Sequence, residues 1–140
     1  MIVKVQDGIK AWSEWERLHE AEHESRAVIL KLIARLLHHG QYERVFESFY
    51  LKITSQFYLT EAADRRQTIG AQEFLLRCEQ RDIQEQKRAE SVLPMSSWAA
   101  VKDTTVRAQL ADRLSWLATE GTRHMPRRGA FTNDIQRSLA

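Results

Sequence analysis

Residues 42–117 read YERVFESFYLKITSQFYLTEAADRRQTIGAQEFLLRCEQRDIQEQKRAESVLPMSSWAAVKDTTVRAQLADRLSWL. In the first third of this stretch, bulky apolar residues recur at three- and four-residue steps, as on one face of an α-helix. They are Val45, Phe46, Phe49, Tyr50, Ile53, Phe57 and Tyr58. This stripe is too wide for a lone surface helix, so neighbouring helices must cover it. The sequence therefore predicts a helix that begins near Gln41 inside a multi-helix fold.

Two more helices are predicted downstream. Thr68 to Gly70 interrupts the pattern, and a third helix begins at Ala71. Its apolar positions are sparse, which predicts one narrow packed face with the rest in water; they are Phe74, Leu75, Cys78, Ile83 and Val92. Pro94 ends this helix, because proline lacks a donor and clashes with the preceding turn. Ser96 or Ser97 is expected to cap a fourth helix that runs to Gly121. Its apolar positions are Trp98, Val101, Val106, Leu110, Leu114, Trp116 and Leu117.

Upstream, helical periodicity extends from about Asp7 to His39. The apolar positions are Ile9, Trp12, Trp15, Leu18, Val28, Ile29, Leu32, Ile33, Leu36 and Leu37. The polar segment HEAEHESR at 19–26 is either a solvated piece of helix or the joint between two helices. Gly40 suits the left-handed residue that follows a helix end.

Composition favours a single all-α domain, an antiparallel helical bundle. The chain has 140 residues, 43% of them hydrophobic, with only 5 Gly and 2 Pro to break long helices. Its 21 basic and 19 acidic residues are mixed, giving a net charge of +2, which is typical of solvated helix faces and makes nucleic acid an unlikely ligand. No apolar run reaches the roughly 20 residues of a membrane span, so no membrane contact is expected.

Signals for chemistry are weak. His19 and His23 are four residues apart, a spacing that can place two imidazoles on one metal, but no third ligand is fixed and a solvated face is the simpler interpretation. Cys78 is the single cysteine and lies in a half-buried pattern, where cysteine usually acts as a small hydrophobe. We therefore expect no catalytic residue, no cofactor and no metal ligand. One cysteine also agrees with an intracellular setting, cytoplasmic or nuclear.

Residues 1–121 are predicted to form the helical domain, and residues 122–140 a basic tail or one short terminal helix. Arg123, Arg127 and Arg128 could lie along phosphates, but the segment carries no nucleic-acid-binding motif, and a solubilising role is the simpler interpretation.

Several stretches resemble the repeat that builds the stalk of cullins, the scaffold subunits of multi-subunit ubiquitin ligases. FESFYLKITSQFYLTEA at 46–62 is very similar to the helix that opens a cullin repeat. RAVILKLIARLLHHGQ at 26–41 is similar to the helix that closes the preceding repeat. The next two helices of the repeat are matched at scattered positions: Phe74, Leu75, Glu79, Ile83, Gln86, Arg88 and Leu93, then Leu110, Arg113, Leu114 and Leu117. Departures are Arg113 where the family often has histidine, Pro94 in a loop, and the short interval before Tyr42.

The resemblance implies a cullin-repeat-like α-solenoid unit that acts as a non-enzymatic scaffold, with a ligase adaptor or another scaffold subunit as partner. In the family, the adaptor surface is built by helices of the first repeat, which makes Lys31, Arg35 and His39 candidate contacts. The RING-binding and modifier-acceptor regions of the family lie in a carboxy-terminal domain that we expect this chain to lack. A standalone helical interaction or regulatory domain is the alternative, and a small histidine-based metal protein is a third.

Overall fold

The computed structural model describes residues 2–111. Five α-helices account for most of this part of the chain: α1 Ile2–His19, α2 Arg26–His38, α3 Ser48–Thr68, α4 Ala71–Val92 and α5 Trp98–Leu110. A π-helical turn, Glu43–Glu47, leads directly into α3, and a 3-10 turn, Met95–Ser97, precedes α5. Residues 2–111 contain no strand, so the predicted all-α helical bundle is confirmed.

The two open points in the amino-terminal third are settled by backbone geometry. The segment 20–25 is a joint between two helices, because α1 ends at His19 and Glu20 adopts a positive φ of 50°. At the end of α2, Gly40 has a φ of 67°, its N–H donates to the Leu37 carbonyl, and the next N–H donates to the Leu36 carbonyl. This is the hydrogen-bond pattern of a left-handed helix end, as the sequence predicted. The predicted start of the first helix near Asp7 was five residues late.

Helix α3 is the centre of the fold. Helix α5 packs closely against both α3 and α4, while α1 packs on α3. The rings of Tyr42, Phe46 and Tyr50 stack along the inner face of the π-turn and α3, with centroids 5.6 and 5.9 Å apart. The main core contains Ile9, Trp12, Ile29, Ile33, Tyr42, Phe46, Tyr50, Ile53, Ala89, Val92, Leu93 and Val101. The expectation that neighbours cover the aromatic stripe is thereby confirmed.

A second, smaller core closes the other end of the helices. It contains Ala62, Ala71, Phe74, Cys78 and Leu110. The break at Ile69 and Gly70 lies beside it, between α3 and α4, as predicted. Cys78 is buried among these apolar residues, which agrees with its interpretation as a packing residue.

The predicted cap of the last helix is wrong in its chemistry. Ser97 does immediately precede α5, but its side chain makes no cap hydrogen bond. Its hydroxyl instead donates to the Glu47 carboxylate, while the Tyr42 hydroxyl lies 2.7 Å from Ser97 Oγ. These two contacts connect the start of α5 to the π-turn. The Ser97 hydroxyl therefore bonds to side chains of another element and not to the backbone N–H groups of its own helix.

The predicted end of that helix is also corrected. Helix α5 ends at Leu110, because Ala111 leaves the helical region with a ψ of 134°. No proline or glycine marks this point, so the sequence pattern gave no sign of it. Leu114, Trp116 and Leu117 lie outside the described residues, as do the domain boundary at 121 and the basic segment 122–140, which therefore stay predictions.

The buried faces of α1 and α2 differ in part from the expected ones. On α1, Ile9 and Trp12 are buried as expected, but Trp15 is half-buried and Leu18 is exposed. The buried side of α1 continues instead through three polar residues, Ser13, Glu16 and Arg17. On α2, Ile29 and Ile33 are buried, Leu32 and Leu36 are half-buried, and Val28 and Leu37 are exposed.

Candidate functional site

Helix α4 buries charged residues that the sequence analysis placed in water. Phe74, Cys78 and Val92 are buried as expected, whereas Ile83 is 57% exposed. The positions 74, 78, 81, 85, 88 and 92 alternate in steps of four and three, which is the spacing of one continuous helix seam. Arg81, Glu85 and Arg88 occupy the middle of this seam, and each is less than 8% exposed. The four- and three-residue spacing indicated that positions 81, 85 and 88 are buried. The sequence analysis missed this because charged residues occupy these positions.

Glu85 is the acceptor at the centre of the cluster. Arg17 of α1 donates to both of its carboxylate oxygens, over 3.0 and 3.2 Å. The Tyr58 hydroxyl donates to the same carboxylate over 2.6 Å, and the Tyr50 hydroxyl also donates to it. Arg88 completes the set over 2.8 Å. Glu85 therefore connects α1, α3 and α4 through a single buried carboxylate.

Glu16 is a second, similar acceptor on α1. Arg26, the first residue of α2, donates to its two oxygens over 2.8 and 3.1 Å. The Trp12 indole and the His23 backbone N–H donate to one oxygen over 2.8 and 3.0 Å. Arg88 of α4 donates to the other over 3.0 Å. Glu16 thus fastens the joint between α1 and α2 onto α4.

Arg88 joins the two carboxylates, because its guanidinium donates to both Glu16 and Glu85. We call the connected set Arg26, Glu16, Arg88, Glu85 and Arg17 the buried charge chain. It runs from α2 through α1 to α4, and the tyrosine hydroxyls extend it to α3. Its members carry three positive and two negative charges, so burial of each carboxylate is compensated.

The surroundings of Arg17 explain how a guanidinium can be only 1% exposed. Its Nη2 donates to the Thr54 hydroxyl over 2.7 Å, in addition to the two hydrogen bonds from the guanidinium to Glu85. Its central carbon lies 5.3 to 5.5 Å from the ring centroids of Tyr50, Phe57 and Tyr58, a favourable distance for cation–π attraction. The aromatic stripe of α3 therefore provides both an apolar packing surface and a cation–π binding site for the Arg17 guanidinium.

The protonation states of the charge chain follow from these contacts. Burial by itself would raise the pKa of Glu85, but the Arg17 and Arg88 charges and the hydrogen bonds outweigh burial and lower this pKa to about 2. For Glu16, burial is likewise outweighed by hydrogen bonds, foremost from Arg26, and its pKa is also lowered to about 2. Burial and the Glu85 charge raise the pKa of Tyr50, which stays a hydroxyl donor.

This arrangement is suited to holding helices together. Both carboxylates have their oxygens occupied by protein donors, so neither is open to a substrate. Among buried side-chain polar atoms of residues 3–111, the one without a hydrogen-bond partner is Gln86 Oε1, outside the charge chain. Because a buried pair is favourable only when its remaining lone pairs and protons are satisfied, this saturation matches a structural role.

The candidate contact residues lie elsewhere, on the outer side of α2. Lys31 and Arg35 are four residues apart on this helix and both are exposed. His39 follows the last residue of α2, is exposed, and its ring contacts that of His38 edge-to-face at 5.1 Å. The structure thus brings Lys31 and Arg35 onto one surface and places His39 at its end. Whether they bind a partner stays a prediction.

The histidines weighed as metal ligands pack on an aromatic ring. His19 stacks on Trp15 with centroids 4.1 Å apart, and its Nδ1 lies 2.9 Å from the Trp15 carbonyl. The His23 ring meets the edge of the same indole at 4.8 Å, and its Nδ1 lies 2.7 Å from the Ser25 hydroxyl. Residues 2–111 contain no group of three or more metal-ligating side chains. No helix in this range has the length and apolar character needed to cross a bilayer.

Comparison with known protein families finds a match. A family model described as the Cullin alpha solenoid domain matches residues 3–138. No curated protein and no solved structure matches the chain significantly. The matched span includes all of α2 to α5 and all but the first residue of α1. Since the helical architecture and a family model over nearly the whole chain agree, this chain belongs to the cullin family.

Proposed function

We propose that this chain is a non-enzymatic scaffold module that holds partner proteins at a fixed separation in a ubiquitin-ligase assembly, in the cytoplasm, the nucleus or both. Cullin repeat domains are scaffolds rather than catalysts, and the family match over residues 3–138 is the observation that carries the proposal. The partners would be a ligase adaptor or another scaffold subunit.

The buried charge chain supports a scaffold role, because a scaffold must keep its helices in one arrangement. Apolar contacts alone allow two helices to slide past each other, whereas a bidentate guanidinium–carboxylate pair has one favourable geometry. Arg17 to Glu85 and Arg26 to Glu16 are two such pairs, between different helices. Arg88 couples them. The relative positions of α1, α2 and α4 are therefore fixed by directional bonds as well as by packing.

Lys31, Arg35 and His39 are the proposed partner contacts. Their exposure on the outer side of α2, away from Ile29 and Ile33 in the core, leaves them accessible. Neither Lys31 nor Arg35 belongs to the buried charge chain, so a change at either position should alter binding without loosening the fold.

Affinity purification of the tagged full chain from its native cells, read by mass spectrometry, tests this proposal. The wild-type chain should recover ligase adaptors or other ligase subunits, and the double variant Lys31→Glu with Arg35→Glu should recover markedly less. The double variant Lys4→Glu with Lys52→Glu makes the same charge change at exposed positions of α1 and α3 and should behave as wild type. A wild-type preparation without any ligase subunit would overturn the assembly role and favour a standalone interaction domain.

A further inference from the structure

Helix α2 leaves apolar side chains exposed beside its core-facing side. Ile29 and Ile33 face the core, whereas Leu30 and Leu37, which lie beside them round the helix, are exposed by 42% and 48%. These two leucines are seven residues apart, so they lie on one strip of the helix, and the exposed Ala34 lies between them. An amphipathic helix normally buries its whole apolar side, so two exposed leucines next to the core-facing residues indicate that part of this side is uncovered. In residues 2–111, α2 is covered by α4 and the π-turn on its inner side.

The charges beside this strip have one sign. Lys31 and Arg35 are exposed and lie on the neighbouring strip of the helix. No acidic residue occurs from Arg26 to His38. By contrast, α4 carries acidic and basic residues mixed along its length. We define the α2 outer face as Leu30, Lys31, Ala34, Arg35 and Leu37.

We propose that the α2 outer face binds an acidic amphipathic helix of a partner protein, which names the partner class of the contact surface and so rests on the proposed function. Apolar residues of such a helix, spaced by three, four or seven positions, would cover Leu30 and Leu37. Ala34 has a small side chain and lets the two backbones approach. Carboxylates along one edge of the partner helix would pair with Lys31 and Arg35.

Charge argues against the chain's own carboxy-terminal segment as the occupant. Residues 112–140 contain five arginines and three acidic residues, so the segment and the α2 outer face carry charge of the same sign. The α2 outer face would attract an acidic partner helix, whereas it would repel this basic segment. The length also fits, because thirteen helical residues span about 20 Å, enough for a partner helix of roughly three to four turns.

Site-specific photo-crosslinking tests the proposal. The full chain carries benzoylphenylalanine in place of Leu30, is expressed and irradiated in its native cells, and the crosslinked peptides are identified by mass spectrometry. The matched control carries the same group at Leu76 on α4, which is 59% exposed. The expected crosslinked peptide has more Asp and Glu than Lys and Arg, with apolar residues at helical spacing. Adding Lys31→Glu and Arg35→Glu should lower its yield about tenfold or more, as for like charges placed opposite each other, whereas Lys52→Glu should not.

Three outcomes would overturn the proposal: a peptide from this chain itself, a peptide without acidic excess, or a yield at position 30 no higher than at position 76. The result separates this inference from the proposed function. Ligase subunits that co-purify without a crosslink at position 30 would leave the scaffold role standing and remove the α2 outer face as its site. An acidic helix captured from a protein outside any ligase would support the face and contradict the assembly role.

Discussion

The Arg17 guanidinium on α1 holds the Glu85 carboxylate on α4 through two hydrogen bonds of 3.0 and 3.2 Å, although 68 residues separate them in the chain. Both side chains are 1% exposed. Such a pair is costly to bury and even more costly to break, because loss of one partner leaves an uncompensated charge in the interior. The stability of this domain should therefore be most sensitive to charged residues that the sequence alone would place on the solvent-exposed surface.

Glu85→Gln should destabilise the domain by about 3–5 kcal/mol, because it leaves the Arg17 and Arg88 guanidiniums short of a counter-charge. Urea unfolding followed by circular dichroism measures this change. The matched control is Asp103→Asn, which removes a carboxylate paired with Arg107 in an exposed i,i+4 pair. That change should cost about 0.5 kcal/mol or less. Equal losses for the two variants would show that the buried charge chain contributes no more than a surface pair.

Acid should remove the stability that the two buried carboxylates supply. The pKa values of Glu16 and Glu85 are lowered to about 2 in the folded chain, from the ordinary value of 4.5. Their contribution is therefore complete above about pH 4.5 and is lost as the pH falls towards 2. The free energy of unfolding should decline through that window, and Glu16→Gln should make the decline shallower. Parallel curves for wild type and Glu16→Gln would contradict the assignment.

Asp82 should act in the opposite sense. Burial, together with the nearby Glu79 charge, raises the pKa of Asp82 to about 6. A hydrogen bond from Gln109 and the charge of Lys102 act in the opposite direction but are outweighed. A raised folded-state pKa favours the folded state at low pH, and this contribution is lost as the pH rises from about 4 to about 6. Asp82→Asn keeps an acceptor for Gln109 and should increase stability at pH 7. An unchanged pH dependence in this variant would refute the prediction.

Two glycine substitutions should have opposite effects. Gly40 has a φ of 67° with open space where a β-carbon would lie, so Gly40→Ala should cost about 1–2 kcal/mol through backbone conformation alone. Gly8 lies within α1 in equally open space, and Gly8→Ala should add about 0.5–1 kcal/mol. Thermal unfolding of both variants beside wild type provides the comparison. A neutral Gly40→Ala would indicate that the left-handed helix end is not populated in solution.

Much of the fold could be predicted because its signals are local. The aromatic stripe of α3, the interruption before Ala71, the proline that ends α4 and Gly40 after α2 are each encoded by neighbouring residues. The end of α5 at Leu110 could not be predicted, since nothing at Ala111 disfavours a helix.

The buried charge chain was missed for a physical reason. A single sequence does not show which charged residue has a partner on another helix, and an unpaired Glu or Arg belongs in water. Phe74, Cys78 and Val92 mark one packed face of α4, and Arg81, Glu85 and Arg88 occupy the positions between them on that face. Because water-exposed residues would interrupt a packed face, this spacing could have identified the three charged residues as buried. On α1, Glu16 and Arg17 follow Ile9 and Trp12 in the same way.

The claim that the helices form one rigid unit is tested most directly by the distance between two of them in solution. Nitroxide labels placed at Asp7 on α1 and Leu76 on α4, both exposed, with Cys78 replaced by alanine, allow pulsed electron spin resonance to measure that distance. Helices held by the buried charge chain predict one narrow distance distribution for the full chain. A broad distribution, or one with several distances, would contradict the account.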